Sequence, residues 1–547
     1  MTQIKKFEVY NILIWVVAIT TVVATPNINK DALIIPKVAV LFLGVLFLLP
    51  YIKEEFRFNV NLKQINILKA ILSLMSLQII MVIFLTNSPL EQQLFGRTGR
   101  GLGFITWLSL ILICLIATVS ISDSNSKILL RGLGVSGLFA IIYSIFQSYG
   151  LDFFPWDSKT NGVIGTLGNP NFVSSFTSMI ALPTLVFLNS KMKSSKSKLS
   201  LNVLVSAIIL LSIYRAESFQ GYITLLIAIF SFSIIFFWYR QKFIFLVLLV
   251  GFVLSSGFAI LGVFNKGPIA PYLFKVSIQS RGEFWASAIG TIKSHPFFGV
   301  GLDSFGDYFL KFRESATINE FTDSAHNYFL DYSANAGLVF AFLHLLLLVL
   351  TLYNFFKLQK ATGKFDSFLA SLFSAFLVFQ AQSLISPISI PLICWNMVIS
   401  GSIIGLNIGS GKSVNASSKG KNLKFKVSSL YTTLLALILV FPYVNADRQQ
   451  LIAMKNGDGD LAIRVAKMYP QSVVRYSVLT RALLESGGLT QPALDLARSA
   501  VMFNPNAPAL WALILINESA PIAERQAAYN VLLKLDPLNE ELKNYKI

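Results

Sequence analysis

A chain of 547 residues that is 54% hydrophobic and only 13% charged carries more apolar side chain than a soluble core absorbs. That composition excludes an ordinary soluble enzyme and points to an integral membrane protein. The net charge of +18 sits mostly in short loops between apolar runs, which is the pattern of a topology signal rather than of a nucleic-acid surface.

Apolar runs fall near residues 9–25, 32–51, 65–86, 102–121, 128–149, 171–190, 199–214, 221–239, 243–264, 335–356, 366–384, 388–408 and 427–444, about thirteen in all. Lipid offers backbone groups no partner, so the expected fold is all-α, a polytopic membrane bundle of about 12–14 helices. Lys5 and Lys6 ahead of the first run, with Val22 and Ala24 near its end, imitate a secretory leader, but the many later spans make it a first anchor. Basic residues at Lys53, Arg57, Lys63, Lys127, Arg131, Lys191–Lys198, Arg240, Lys242, Lys357–Lys364 and Lys412–Lys426 mark one face as cytoplasmic. The expected localisation is the cytoplasmic (inner) membrane, multi-pass. The loop 87–101, the long loop 265–331 and everything after Pro442 then lie on the outer face. A connection of about 65 residues between spans is long enough to carry function.

The chain divides into a membrane domain, 1–444, and a soluble tail, 445–547, where charges are frequent and apolar runs stop. Pro470, Pro505 and Pro537 each close an amphipathic Ala/Leu-rich stretch, and their period, with "ALDLARSAVMFNPN" as the best copy, resembles tetratricopeptide helix pairs. Such a tail is either a docking surface for a protein or glycan partner or a cap over the membrane domain. Cys114 and Cys394 lie inside apolar runs, so neither a disulfide framework nor a thiolate metal site is indicated.

Polar groups with chemistry in them are few. In "NSPLEQQLFGRTGRG", Arg97 and Arg100 run against the charge bias of an outer loop; their planar forks suit phosphate oxygens, or else they touch lipid headgroups. "GTLGNPNFVSSF" offers Asn169 and Asn171, as helix cap or as the edge of a sugar site. Arg215 in "SIYRAESFQGYITL" brings another cation to the same face, unless Glu217 pairs with it. From Arg281, the residues Phe284, Trp285, Ala288, Ile289 and Ile292 recur at helical spacing, an amphipathic helix expected to lie along the membrane surface. His295-Pro296 ends it and "GVGLDSFGDYF" turns on glycines. His326 and Asn327 then stand just before a span; an imidazole there either accepts a proton near neutral pH or is a structural residue. His344, within a span, reads as buried and hydrogen-bonded. Asp303 and Asp307 sit four apart among aromatic residues and glycines, a poor metal pair, and no phosphate-binding glycine loop is present, so neither metal nor cofactor is expected.

The run "SRGEFWASAIGTIKSHPFFGVGLDSFGDYF", followed by "AHNYFLDYSANAGLVFAFLHL", resembles the signature of the O-antigen ligase and polymerase superfamily. The stretches "LFGRTGRGLGFITWLSL" and "GTLGNPNFVSSF" match patterns common in it. The resemblance implies a membrane glycosyltransferase fed by a glycan on a polyprenyl diphosphate at the outer face, with a glycan, lipid or protein acceptor; arginines in place of a metal and a base opposite the leaving group would make it metal-independent and inverting. The same resemblance implies His326 as general base and Arg281 beside the diphosphate; Arg97, Arg100, Arg215, Asn169, Asn171 and Asn327 are the candidate substrate-binding residues from the reading of the loops themselves. Where the family often has an arginine before the glycine that starts a span, this chain has Gln220, and the nearest arginine is Arg215. Ligase, repeat-unit polymerase and protein O-oligosaccharyltransferase remain open, since they differ only in acceptor. A lipid-linked sugar transporter is the alternative from another class, although transporters gather ionisable groups near the midplane.

Overall fold

A computed structural model describes residues 3–56, 63–152, 162–274, 276–315, 321–409, 422–486 and 490–547. Of the topology markers, Arg57, Lys412, Lys419 and Lys421 lie outside the described residues. The fold is all-α, with no strand among the described residues. Thirteen long helices coincide with the apolar runs: Gln3–Val22, Ile34–Phe56, Lys63–Leu85, Phe104–Ser120, Lys127–Ser148, Pro170–Lys191, Ser195–Arg215, Phe219–Arg240, Lys242–Val263, Tyr328–Thr362, Ser367–Ser383, Ile390–Gly409 and Asn422–Asn456. Nine of these, among the described residues, are long and apolar enough to cross a membrane. The apolar parts of the other four are shorter: Glu8–Val22, Ile34–Pro50, Phe104–Ser120 and Ser367–Ser383.

Packing runs from a tight centre to a bare edge. At the centre, Phe104–Ser120 meets Ile390–Gly409, and a Cβ on Gly401 or Gly405 would come within 2.3 Å of the carbonyl oxygens of Cys114 and Thr118. Small residues four apart thus let two backbones touch, which is how helices associate without a hydrophobic driving force. At the edge, Lys242–Val263 leans on Phe219–Arg240, and none of its apolar window is buried.

Helix Tyr328–Thr362 is broken at Gly337, whose φ is 84°. The freed backbone groups are taken up by the glycine-rich loop that follows His295. Leu338 N–H donates to Pro296 O at 2.8 Å, while Val300 N–H donates to Ala334 O at 2.9 Å and Gly301 N–H to Asn335 O at 3.2 Å. From the neighbouring helix Lys63–Leu85, the Gln78 amide nitrogen donates to Phe297 O at 2.8 Å and to Ala336 O at 2.9 Å. Irregular backbone at this depth survives because each of these groups has a partner inside the protein.

The tail forms short helices, Gly459–Ala466, Val473–Glu485, Thr490–Phe503, Pro508–Leu515, Ile522–Leu535 and Glu540–Lys543, around a separate core that includes Val465, Tyr476, Leu494 and Leu510. Pro470, Pro505 and Pro537 fall in the connections, as proline's missing N–H requires. The expected division at 444/445 falls inside helix Asn422–Asn456, which carries the last span directly into the tail. The loop 87–103, the loop 295–327 and the tail meet at one end of the bundle. Thr98 Oγ1 lies 2.8 Å from Ser472 Oγ, Asn504 donates to Asp307 at 2.9 Å, and Arg313 pairs with Asp536 at 2.7 Å.

Candidate active site

Two arginines sit in the turn that leads into Phe104–Ser120, and both are surrounded by carboxylates. Arg97 places Nη1 2.6 Å from Asp307 Oδ1, and its backbone N–H donates to Asp303 Oδ2 at 2.8 Å. Arg100 meets Asp303 at 2.9 Å, Asp331 at 3.4 Å and Asp323 at 3.7 Å, and donates to the Asp323 carbonyl at 2.7 Å. Burial opposes the Arg100 charge, but Asp331, Asp303 and Asp323 more than offset it, so the guanidinium is held charged more firmly than usual. The expectation that Arg97 and Arg100 face phosphate is therefore replaced: four carboxylates against two cations leave no positive charge to offer, and these arginines brace the loops.

The acidic partners come from the long loop and from the helix start after it. Asp331, in the first turn of Tyr328–Thr362, accepts from Ala325 N–H at 2.8 Å and from Ser324 Oγ–H at 2.6 Å. Ser324 Oγ in turn accepts from His326 N–H at 3.1 Å. The Asn327 side chain caps the helix by accepting from Phe329 and Leu330 N–H and also donates to Leu384 O at 3.2 Å. That makes Asn327 a cap rather than a free substrate ligand.

His326 is half-buried, with φ at 53°. Its Nδ1 lies 3.1 Å from Ser324 O. A carbonyl only accepts, so Nδ1 carries the proton and Nε2 keeps its lone pair. Burial is the main cause that lowers the imidazole pKa from 6.5; the Ser324 hydrogen bond opposes it and the charge of Arg281 adds to it. At neutral pH the ring is the neutral, base-competent form.

Arg281 arrives on helix Val276–Ser294. Phe284, one turn along the same face, packs against His326 with ring centroids 5.0 Å apart and planes tilted by 38°, so helix and histidine are direct neighbours. Arg281 donates to Ser277 O of its own helix at 2.9 Å. Its Nε is buried without a partner, and no carboxylate pairs with it among the described residues. Glu283, close by in sequence, accepts instead from Ser315 N–H at 3.1 Å. Burial lowers the Arg281 pKa, yet an arginine remains protonated in proteins. The apolar face of this helix is partly used within the protein: Phe284 and Ala288 pack against Phe305, Phe309, Ala325 and Ala334, while Ile289 stays exposed.

The remaining expected residues lie in a second group. Arg215 donates through Nε to Ser148 Oγ at 3.0 Å and through Nη2 to Ser148 O, and covers the Tyr149 ring at 4.4 Å. It caps the carboxyl end of Lys127–Ser148, where a cation complements the helix dipole, and Glu217 is not its partner. Asn169 caps Pro170–Lys191 by accepting from Asn171 N–H at 2.8 Å, and Asn171 accepts from Ser218 Oγ–H at 2.7 Å. Gln220 is buried between Gln382, at 3.1 Å, and Ser386, at 2.9 Å. His344 is buried as expected, but its Nδ1 meets no partner; the rings of Tyr328, Tyr332 and Phe329 enclose it instead.

Asp303, Asp307, Asp323, Asp331, Ser324 and Gln78 are the residues that sequence reasoning did not single out as parts of the site. Their signal was a surplus of aspartates in the long loop opposite two arginines in another loop of the same face.

Taken together, the chain is a polytopic α-helical membrane protein whose loop polar groups gather at one end around the His326 imidazole and the Arg281 guanidinium, which has no carboxylate partner among the described residues. Residues 201–345, which contain Arg215, Arg281 and His326, match the family model described as O-antigen ligase. Over that stretch, about a quarter of the chain, it is similar to the O-antigen ligase family, and the match supports a membrane glycan ligase-like function. No curated protein matches the chain.

Proposed function

We propose that the protein transfers a glycan from a polyprenyl-diphosphate-linked donor to an acceptor hydroxyl or amine on the outer face of the cytoplasmic membrane. The observation that supports this reading is the adjacency, through Phe284, of His326, with a bare Nε2, and Arg281, whose charge no carboxylate among the described residues answers. In the reaction, Nε2 takes the proton of the acceptor hydroxyl as its oxygen bonds to the anomeric carbon. The bond from that carbon to the diphosphate oxygen breaks, and the leaving group departs with the electron pair. Arg281 meets the negative charge that develops there, which is where a fixed cation lowers the barrier most. Base and cation on opposite sides of the anomeric carbon give inversion. The tail, docked on the loops that hold these residues, is suited to present an acceptor or a protein partner.

The test is transfer by purified protein in nanodiscs, using a polyprenyl-diphosphate-linked oligosaccharide and scoring the anomeric configuration of the product. Activity that survives loss of His326, or that disappears with chelator, would refute this mechanism. Chain length in a deletion strain separates the acceptor classes: long chains that fail to reach their acceptor indicate a ligase, and single repeat units a polymerase.

A further inference from the structure

We propose that Ser324 and Asp331 form a positioning relay that holds His326 in the tautomer with a bare Nε2; the proposal rests on the reading of His326 as the base. The Asp331 carboxylate can only accept, so the 2.6 Å contact commits the Ser324 hydroxyl proton to it. With its proton committed, Ser324 Oγ can only receive the backbone N–H of His326, at 3.1 Å. That bond, together with Ala325 N–H on the other Asp331 oxygen at 2.8 Å, fixes residues 324–326 in a tight turn. His326 is held there at φ 53°, a conformation that non-glycine residues adopt rarely and only when their surroundings over-determine it.

The turn directs the Ser324 carbonyl at Nδ1. The same carbonyl also accepts from Thr322 Oγ1–H at 2.8 Å, so both of its acceptor positions are used and its direction is fixed. Asp331 is itself immobile: it stands on a helix, is buried, and meets Arg100 at 3.4 Å. Ser324 and Asp331 are thus positioning residues, acting on the acceptor through His326 and not by contact.

The chain has three histidines, which makes ¹⁵N-histidine NMR of the full-length protein in micelles practicable, with His326→Gln used to assign the signal. In the parent, His326 is expected to show the shifts of Nδ1–H and bare Nε2. In Ser324→Ala the tautomer ratio should move roughly tenfold toward Nε2–H, the weight of about one hydrogen bond. Asp331→Asn should move it the same way. An unchanged ratio in both variants, or a parent already in the Nε2–H form, would overturn the relay. Asp331→Asn also removes a partner of Arg100 and can fail to fold, in which case Ser324→Ala decides alone. If the tautomer shifts while glycan transfer by the same sample does not, the relay stands and the assignment of His326 as base is what fails.

Discussion

Arg100 and Arg281 are the same residue type at the same end of the molecule, and their surroundings could hardly differ more. Arg100 sits in a turn ringed by Asp303, Asp323 and Asp331, and its neighbour Arg97 is paired with Asp307. Arg281 is partly buried on the helix whose Phe284 contacts His326, and no carboxylate among the described residues pairs with it. The contrast separates two uses of a guanidinium. A buried charge with its partners present holds loops together, whereas one without them is open to an anion such as the diphosphate of the proposed donor.

That contrast can be broken experimentally, and the largest effect is expected at the residue Arg281 serves. His326→Ala should lower transfer by about 10²–10⁴-fold, the usual weight of one acid–base group, with the thermal melt unchanged. Arg100→Gln strands three aspartates and should cost about 3–5 kcal/mol of stability, read as a lower melting temperature. A variant that melts like the parent would show that the cluster does not brace the loops. Arg281→Gln should do the reverse, cutting transfer about 10²–10³-fold while leaving the melt unchanged or slightly higher, because an unpaired cation has been removed.

The smallest and most graded effect is in pH. Burial places the folded His326 pKa below 6.5, so the transfer rate should be flat from pH 7 to 8 and fall on an acid limb with its midpoint under 6.5. Stability follows the same sign: between the folded and unfolded pKa values the unfolded chain binds more protons, so this histidine's contribution is present above 6.5 and is lost as pH falls through the folded value. A limb centred above 6.5 would contradict the neutral resting state.

The spans were legible because twenty apolar residues in a row have few other fates, and all thirteen expected runs became helices. His326 and Arg281 were legible as chemistry but not as neighbours, since the contact through Phe284 joins segments some forty residues apart. The roles of Arg97 and Arg100 were misread for a related reason. Their carboxylates lie about two hundred positions away, and an arginine waiting for phosphate looks the same in sequence as one already matched by Asp307. The amphipathic pattern after Arg281 gave a helix correctly, but periodicity reports only that one face seeks apolar company. Phe284 and Ala288 find that company in Phe305 and Phe309, while Ile289 stays exposed.

Gly337 carries a consequence for how this architecture tolerates change. A Cβ there would stand 2.0 Å from the carbonyl oxygen of Phe297, and one on Gly299 would stand 2.5 Å from that of Ala334. The two segments therefore meet main chain to main chain, like a tenon in its mortise, and neither glycine can take a side chain without the backbones moving apart. The spacing between the loop after His295 and the break in the helix that follows His326 is thus set by two missing methyl groups.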